Sequence, residues 1–339
     1  MRANMVLVIA HRGASALLPE HTLDAYVKAI ADGADIVEPD LVATRDGVLV
    51  ARHENEIGGT TDVADHPEFA DRRTRKRIDG RDVEGWFTED FQLAELKTLR
   101  TREPLPELRD TGQDGAFAIP TLAEINGLVA EESAARGRDI GIAPELKHST
   151  YFRRNGLRLE DALLADLAAH AHTRRAPVLI QSFEVANLRR LRARLSKGNA
   201  NITLVQLIGN PDDRPADAAA GGGTPRYSDM TTPEGLRRIA GYADAIGVQS
   251  RRVLPLDLDG NFGSPTDLVP DAHAVGLRVL AYTFRPENVF LPRALWLGDD
   301  PRTRNEAGSI AEISAHVDAG IDGFFTDDPA LGRKALQVR

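Results

Sequence analysis

Short apolar runs alternate with helix-like segments over most of this chain, and no other feature restricts the fold as much. The strand-like runs are Val6–Ala10, Asp35–Val37, Ile140–Ala143, Val178–Ile180, Thr203–Leu207, Ala245–Val248, Arg278–Ala281 and Gly323–Phe325. Amphipathic stretches lie between them, among them Thr22–Ala31, Leu122–Ala135, Leu157–Ala171 and Ser309–Ala319. Strands that alternate with helices return to the sheet in one direction, so the repeat predicts a parallel sheet. Eight such strands predict closure into a (β/α)8 TIM barrel; a doubly wound open sheet is the alternative, because periodicity does not separate closed from open. A length of 339 residues accommodates one such barrel with an insertion, so 1–339 reads as a single domain.

One further apolar run, Val48–Arg52, has no helix before it. It follows Leu41–Thr44 through Arg45-Asp46-Gly47, where Asp-Gly marks a tight turn. This predicts a β-hairpin extending the second strand beyond the barrel rim. With Thr44 facing Val48, His53 falls opposite about Pro39, close to Glu38 and Asp40. From Glu54 to about Pro120 the alternation stops and the chain becomes polar and charge-rich. A structureless loop of that size is improbable inside a compact domain, so the segment reads as a small inserted cap, with Leu93–Leu99 as one of its helices. The basic run Arg72–Arg77 within it reads as a solvated face. Gly221–Gly223 reads as a surface loop.

A net charge of −9 argues against nucleic acid as a partner, and an anionic substrate would have to find locally placed cations. No apolar run approaches the roughly 18 residues of a transmembrane segment. Met1–Ala10 runs directly into a polar motif and does not read as a signal peptide. The expected location is cytoplasmic as the sequence stands, and periplasmic or secreted if a leader has been removed. The absence of cysteine excludes disulfides, thiolate metal sites and cysteine nucleophiles. Oligomeric state has no signature here.

Polar residues cluster just after the strands, where (β/α)8 enzymes carry their active sites. Glu38 and Asp40 stand two apart in an extended segment, so both side chains leave one face. With Glu145 from the next strand they form a set of hard oxygen donors suited to Ca²⁺ or Mg²⁺; the alternative is pairing with arginine or lysine on the rim. His11 and His53 flank this cluster, and two imidazoles can divide the acid and base roles of one reaction; otherwise they are structural or metal ligands. Arg12 offers a fork matched to a phosphoryl group and Lys147 a point charge, although a barrel lysine also serves in Schiff-base chemistry. Glu20 is a candidate to orient Arg12 or a histidine, beside Thr22 as a helix N-cap. Gln181, at the fourth strand end, and Phe183 and Tyr282 are further candidates as supporting residues or a ligand wall.

These residues resemble a known family. Ile9-Ala10-His11-Arg12-Gly13-Ala14-Ser15, then Pro19-Glu20-His21-Thr22, is similar to the opening motif of the glycerophosphodiester phosphodiesterases. Gly33–Asp40, Thr44-Arg45-Asp46-Gly47, Val50–His53, Pro144–Lys147, Gln181-Ser182-Phe183 and Gly323–Asp327 continue the likeness over nearly the whole chain. The Pro-Glu-His-Thr form and the long insertion resemble the bacterial periplasmic-type branch. The resemblance implies a phospholipase-C-like barrel with a cap after the hairpin and a divalent metal, usually Ca²⁺ or Mg²⁺, on Glu38, Asp40 and Glu145. It further implies His11 and His53 as the acid–base pair, with Arg12 and Lys147 on the phosphate. Glu54 departs from the pattern, standing where many members carry aspartate. The expected reaction is hydrolysis of a small-molecule glycerophosphodiester to sn-glycerol 3-phosphate and an alcohol. Alternatives are a phospholipase D-like enzyme on intact phospholipid and a non-catalytic ligand-binding barrel.

Overall fold

A computed structural model describes residues 6–338 other than Ser196 and Thr224. Met1–Met5, the first half of the stretch read for a leader, lie outside the described residues. The barrel strands are β1 (Leu7–His11), β2 (Ile36–Glu38), β3 (Gly141–Ile142), β4 (Val178–Ser182), β5 (Ile202–Ile208), β6 (Ala245–Gln249), β7 (Arg278–Phe284) and β8 (Gly323–Thr326). Each pairs in parallel with its neighbour, and β8 returns to β1 with Gly323 beside Leu7, closing the barrel. The main helices between and after the strands are Leu23–Ala31, Leu122–Arg136, Leu159–Ala169, Val185–Arg194, Pro233–Ala240, Leu268–Ala274, Glu306–Asp318 and Pro329–Gln337. The expected closed barrel is what the chain forms. Among the described residues no helix is long and apolar enough to cross a membrane.

Two cores arise from the two-residue period of the strands. Ile9, Ile36, Leu179, Val205, Leu207 and Phe325 form one buried cluster inside the barrel. Their neighbours Val8, Val37, Ile180 and Leu204 point the other way, into the larger core under the helices. Gly247 on β6 makes room for this packing: a Cβ there would lie 2.4 Å from Leu207 Cδ2.

The hairpin has the predicted register. Asp40–Ala43 and Leu49–Ala51 pair antiparallel, Leu41 facing Ala51 and Ala43 facing Leu49. Thr44 N–H donates to the Val48 carbonyl at 3.0 Å, and Arg52 N–H to the Asp40 carbonyl at 3.0 Å. On the other side Asp40 lies beside Glu145, and Glu145 beside Gln181, in parallel pairing. The continuation of β2 therefore sets Asp40, Glu145 and Gln181 in one row.

Between Glu54 and Pro120 the chain builds a two-stranded hairpin, Thr74–Ile78 with Arg81–Gly85, several 3₁₀ turns and one short helix. That helix ends at Leu96 rather than Leu99. Beyond it Arg100 N–H donates to Asp62 Oδ1 at 2.7 Å and Arg100 bridges Ala118, contacts that demand extended backbone. The basic run is only half a solvated face. Arg73, Arg75 and Arg77 are exposed, whereas Arg72 lies over Phe69 and Phe91 and pairs with Glu95, and Lys76 pairs with Glu89 at 2.9 Å.

Candidate active site

The motif at the end of β1 begins with an abrupt reversal. Arg12 has φ +60° and Gly13 φ +92°. A Cβ at Gly13 would meet the Ala25 backbone at 2.8 Å, so only glycine permits the turn to pack on the helix Leu23–Ala31. Thr22 caps that helix, its hydroxyl accepting from Ala25 N–H at 3.2 Å. The reversal turns Arg12 N–H onto Glu38 Oε2 at 2.8 Å, while its side chain donates to Glu20 Oε2 at 2.6 Å. Glu20 is thus the orienting partner of Arg12, and Arg12 holds its carboxyl down to about 2 against the opposing effect of burial.

A cavity of about 480 Å³ opens over the C-terminal ends of the strands. Every candidate named from the sequence lines it except Glu20, which stands behind Arg12. Glu38, Asp40 and Glu145 are buried, and one carboxylate oxygen from each lies within 4.8 Å of the other two. Burial, then Asp40 and Glu145, push the Glu38 carboxyl well above its ordinary range. Burial also lifts Glu145 to about 7, despite Lys147 Nζ at 3.1 Å. Burial would raise Asp40 too, but Lys147 and a hydrogen bond from His21 overcome it and hold the group well below the usual range. Three such carboxylates without a cation between them share at least one proton near neutrality. Gln181 donates from Nε2 to Glu38 Oε1 at 3.3 Å, and its buried Oε1 has no hydrogen-bond partner among the described residues.

Each of the two histidines has a carboxylate beside Nδ1. His11 Nδ1 lies 2.6 Å from Asp327 Oδ1, and His53 Nδ1 lies 3.2 Å from Glu54 Oε1. Burial together with Arg12 brings His11 down to about 4; burial together with Lys147 and Arg12 does the same for His53. Both are neutral at pH 7 in this state; at His11 the Nδ1 proton is directed to Asp327, which leaves Nε2 as the basic nitrogen. Phe183 and Tyr282 meet edge to face at 6.3 Å on one wall. The Tyr282 hydroxyl is turned away, donating to the Ile208 carbonyl at 2.7 Å.

Several residues of the site escaped the sequence reading. Asp327, which enters the sequence analysis only as the last residue of the Gly323–Asp327 likeness, also takes Arg109 at 2.6 Å and Arg285 at 3.0 Å on Oδ2. Arg109 comes from the insertion and pairs in addition with Glu287 at 2.8 Å, all three side chains being nearly inaccessible. His21, within the Pro-Glu-His-Thr motif, places Nε2 3.0 Å from Asp40 Oδ2 and Nδ1 2.9 Å from the Tyr26 hydroxyl. The strand-end rule was signal enough for Asp327. Nothing local marks Arg109.

Several known proteins resemble this chain over most of its length. The model of the glycerophosphoryl diester phosphodiesterase family matches residues 11–331, from the first strand's end to the last helix. A glycerophosphodiester phosphodiesterase of Arabidopsis thaliana is 32% identical over 94% of this chain and 82% of its own length. One from Haemophilus influenzae is 30% identical over 98% of this chain and 90% of its own. The structure of an Oleispira antarctica phosphodiesterase in complex with the product sn-glycerol-3-phosphate has the same fold, with a TM-score of 0.62 at 20% identity, over 98% of this chain and 97% of that one. The chain belongs to the glycerophosphoryl diester phosphodiesterase family and is a phosphoric diester hydrolase of that class.

Proposed function

We propose that the enzyme hydrolyses glycerophosphodiesters such as glycerophosphocholine and glycerophosphoethanolamine to sn-glycerol 3-phosphate and the free alcohol, with His11 and His53 as its acid–base pair. One observation carries this reading: two imidazoles, each with a carboxylate beside Nδ1, line the same cavity as three clustered acids and two cations. The buried carboxylates and the Gln181 oxygen, which has no partner among the described residues, are hard donors, a set that fits Ca²⁺ first and Mg²⁺ second, held by Glu38, Asp40 and Glu145. When bound, such an ion supplies Lewis-acid stabilisation of phosphoryl charge.

Arg12 and Lys147 receive the phosphoryl oxygens, and Glu20 keeps the Arg12 fork in place. A neutral histidine is ready to take a proton from the attacking hydroxyl through Nε2. Arrival of an anionic diester raises the affinity of both imidazoles for a proton, which lets the second one arm as the acid that protonates the departing alcohol. The attacking group is the substrate's own hydroxyl, on the carbon next to the esterified oxygen, because tethering supplies a large effective molarity. Its oxygen bonds to phosphorus as the bond to the alcohol breaks. Water then opens the resulting cyclic glycerol phosphate with the histidine roles reversed. Phe183 and Tyr282 face the apolar part of the ligand.

The alternative of an intact phospholipid substrate is less well supported. The rim loops do expose Leu258, Val289 and Leu297, but Asp257, Asp259, Asp299 and Asp300 are interleaved with them. A coupled assay for sn-glycerol 3-phosphate, over a panel of head groups and metals, tests the proposal. Release from glycerophosphocholine or glycerophosphoethanolamine is the expected result. Cleavage of intact phospholipid with none of the deacylated diesters would overturn it.

A further inference from the structure

Glu54 is the more exposed of the two carboxylates that back the histidines, at 48% against 2% for Asp327. Asp327 is clamped by two arginines. An exposed glutamate with three side-chain torsions does not hold an imidazole steady unaided. Its second oxygen, Oε2, is instead taken by His148 Nε2 at 2.8 Å. The other nitrogen of His148, Nδ1, lies 2.6 Å from Asp79 Oδ2. We propose that His148 is a positioning residue for His53, acting through Glu54, with Asp79 of the inserted hairpin as the far anchor. The inference rests on the reading of His53 as acid–base catalyst.

Three further observations support it. Both ring nitrogens face carboxylate oxygens, an arrangement satisfied only when both carry protons. Burial would lower the His148 pKa, but the bonds to Asp79 and Glu54 outweigh it and raise the group to about 9, so the imidazolium persists through neutrality. The backbone is held in an uncommon state to deliver this ring: His148 has φ +51°, costly for a residue with a side chain and found where the surroundings enforce it. Asp79, φ +46°, and Gly80, φ +87°, form the reversal of the hairpin Thr74–Ile78 and Arg81–Gly85, which fixes where the anchor stands. The chain of contacts His53–Glu54–His148–Asp79 thus joins the rim hairpin, the loop after Glu145–Leu146 and the insertion.

Two substitutions separate positioning from mere attachment of the hairpin. In His148→Gln the amide nitrogen falls near the place of Nε2 and keeps the bond to Glu54. In His148→Asn it falls near Nδ1 and keeps the bond to Asp79. With glycerophosphocholine as substrate, H148N should lose kcat by about 10- to 100-fold, the usual effect of removing an orienting partner, while KM stays within about twofold. H148Q should stay within about threefold of wild-type kcat, although glutamine tolerates positive φ less well than asparagine. Melting temperatures of both variants establish that they are folded at the assay temperature. Equal kcat in H148N and wild type, or H148Q slower than H148N, would overturn the inference. His53→Ala distinguishes the two levels: an inactive H53A beside a fully active H148N removes only the role of His148, whereas an active H53A removes the reading of His53 itself.

Discussion

Replacing Asp327 by asparagine exchanges one oxygen for an amide nitrogen, and the donors around the side chain decide which way the amide turns. Oδ2 of Asp327 accepts from Arg109 and Arg285, at 2.6 and 3.0 Å, while Oδ1 faces His11 Nδ1 at 2.6 Å. Guanidinium groups donate and never accept, so the amide oxygen of the variant must remain with the arginines. The amide N–H₂ is then forced toward His11. A donor there requires Nδ1 to be the acceptor, which moves the neutral imidazole's proton to Nε2, the nitrogen with no protein partner among the described residues. As a base His11 would already be protonated where it must act; as an acid it would lack the carboxylate that stabilises its charged form. Either role predicts a fall in kcat of about 10³- to 10⁴-fold, the size seen when an orienting carboxylate becomes an amide, or about 4–5.5 kcal/mol of transition-state stabilisation. The assay is release of sn-glycerol 3-phosphate at saturating glycerophosphocholine, with a thermal melt to verify folding. A kcat for D327N within tenfold of wild type would refute the tautomer argument and the role of His11 built on it.

Exhaustive chelation should abolish turnover and lower the melting temperature, and Ca²⁺ or Mg²⁺ should restore both, because Glu38, Asp40 and Glu145 repel one another without a cation. Full activity with no metal detectable by elemental analysis would remove the metal from the account. A substrate analogue lacking the hydroxyl beside the esterified oxygen should bind but turn over far more slowly, with the loss in kcat rather than KM; an unchanged kcat would mean that water attacks directly. Arg109→Ala leaves Glu287 without its buried partner and Asp327 with one arginine, Arg285, in place of two, so denaturant unfolding should show a loss of about 3–5 kcal/mol. A loss under about 1 kcal/mol would mean that the insertion is not fastened to the barrel through this residue.

What was legible in the sequence was whatever had a local cause. Barrel strands are buried on both faces and so appear as continuous apolar runs, which is why all eight were found. The Asp46-Gly47 turn set the hairpin register and so placed His53 near Glu38 and Asp40. The strand-end rule collected the cavity residues. His53 and Glu54 are adjacent in the chain, but the contacts that brace the two carboxylates were not legible, because each joins distant segments. Arg109 and Asp327 are 218 residues apart, and His148 and Asp79 are 69 apart. Leu93, Leu96 and Leu99 repeat at helical spacing, yet the helix stops at Leu96, and Leu99 directly precedes the bridge from Arg100 to Ala118. The resemblance in the motifs marked His11, Glu38, Asp40, His53 and Glu145 together; it carried no information on Glu54 beyond its departure from aspartate.

Single and double alanine variants test most directly whether His11 and His53 work as one acid–base unit. With glycerophosphocholine and saturating metal, His11→Ala and His53→Ala should each reduce turnover by about two to four orders of magnitude with folding intact. The double variant should be far less impaired than the product of the two losses, because removing either member already disables the unit. Near wild-type turnover in either single variant, or strictly multiplicative losses in the double, would contradict the account.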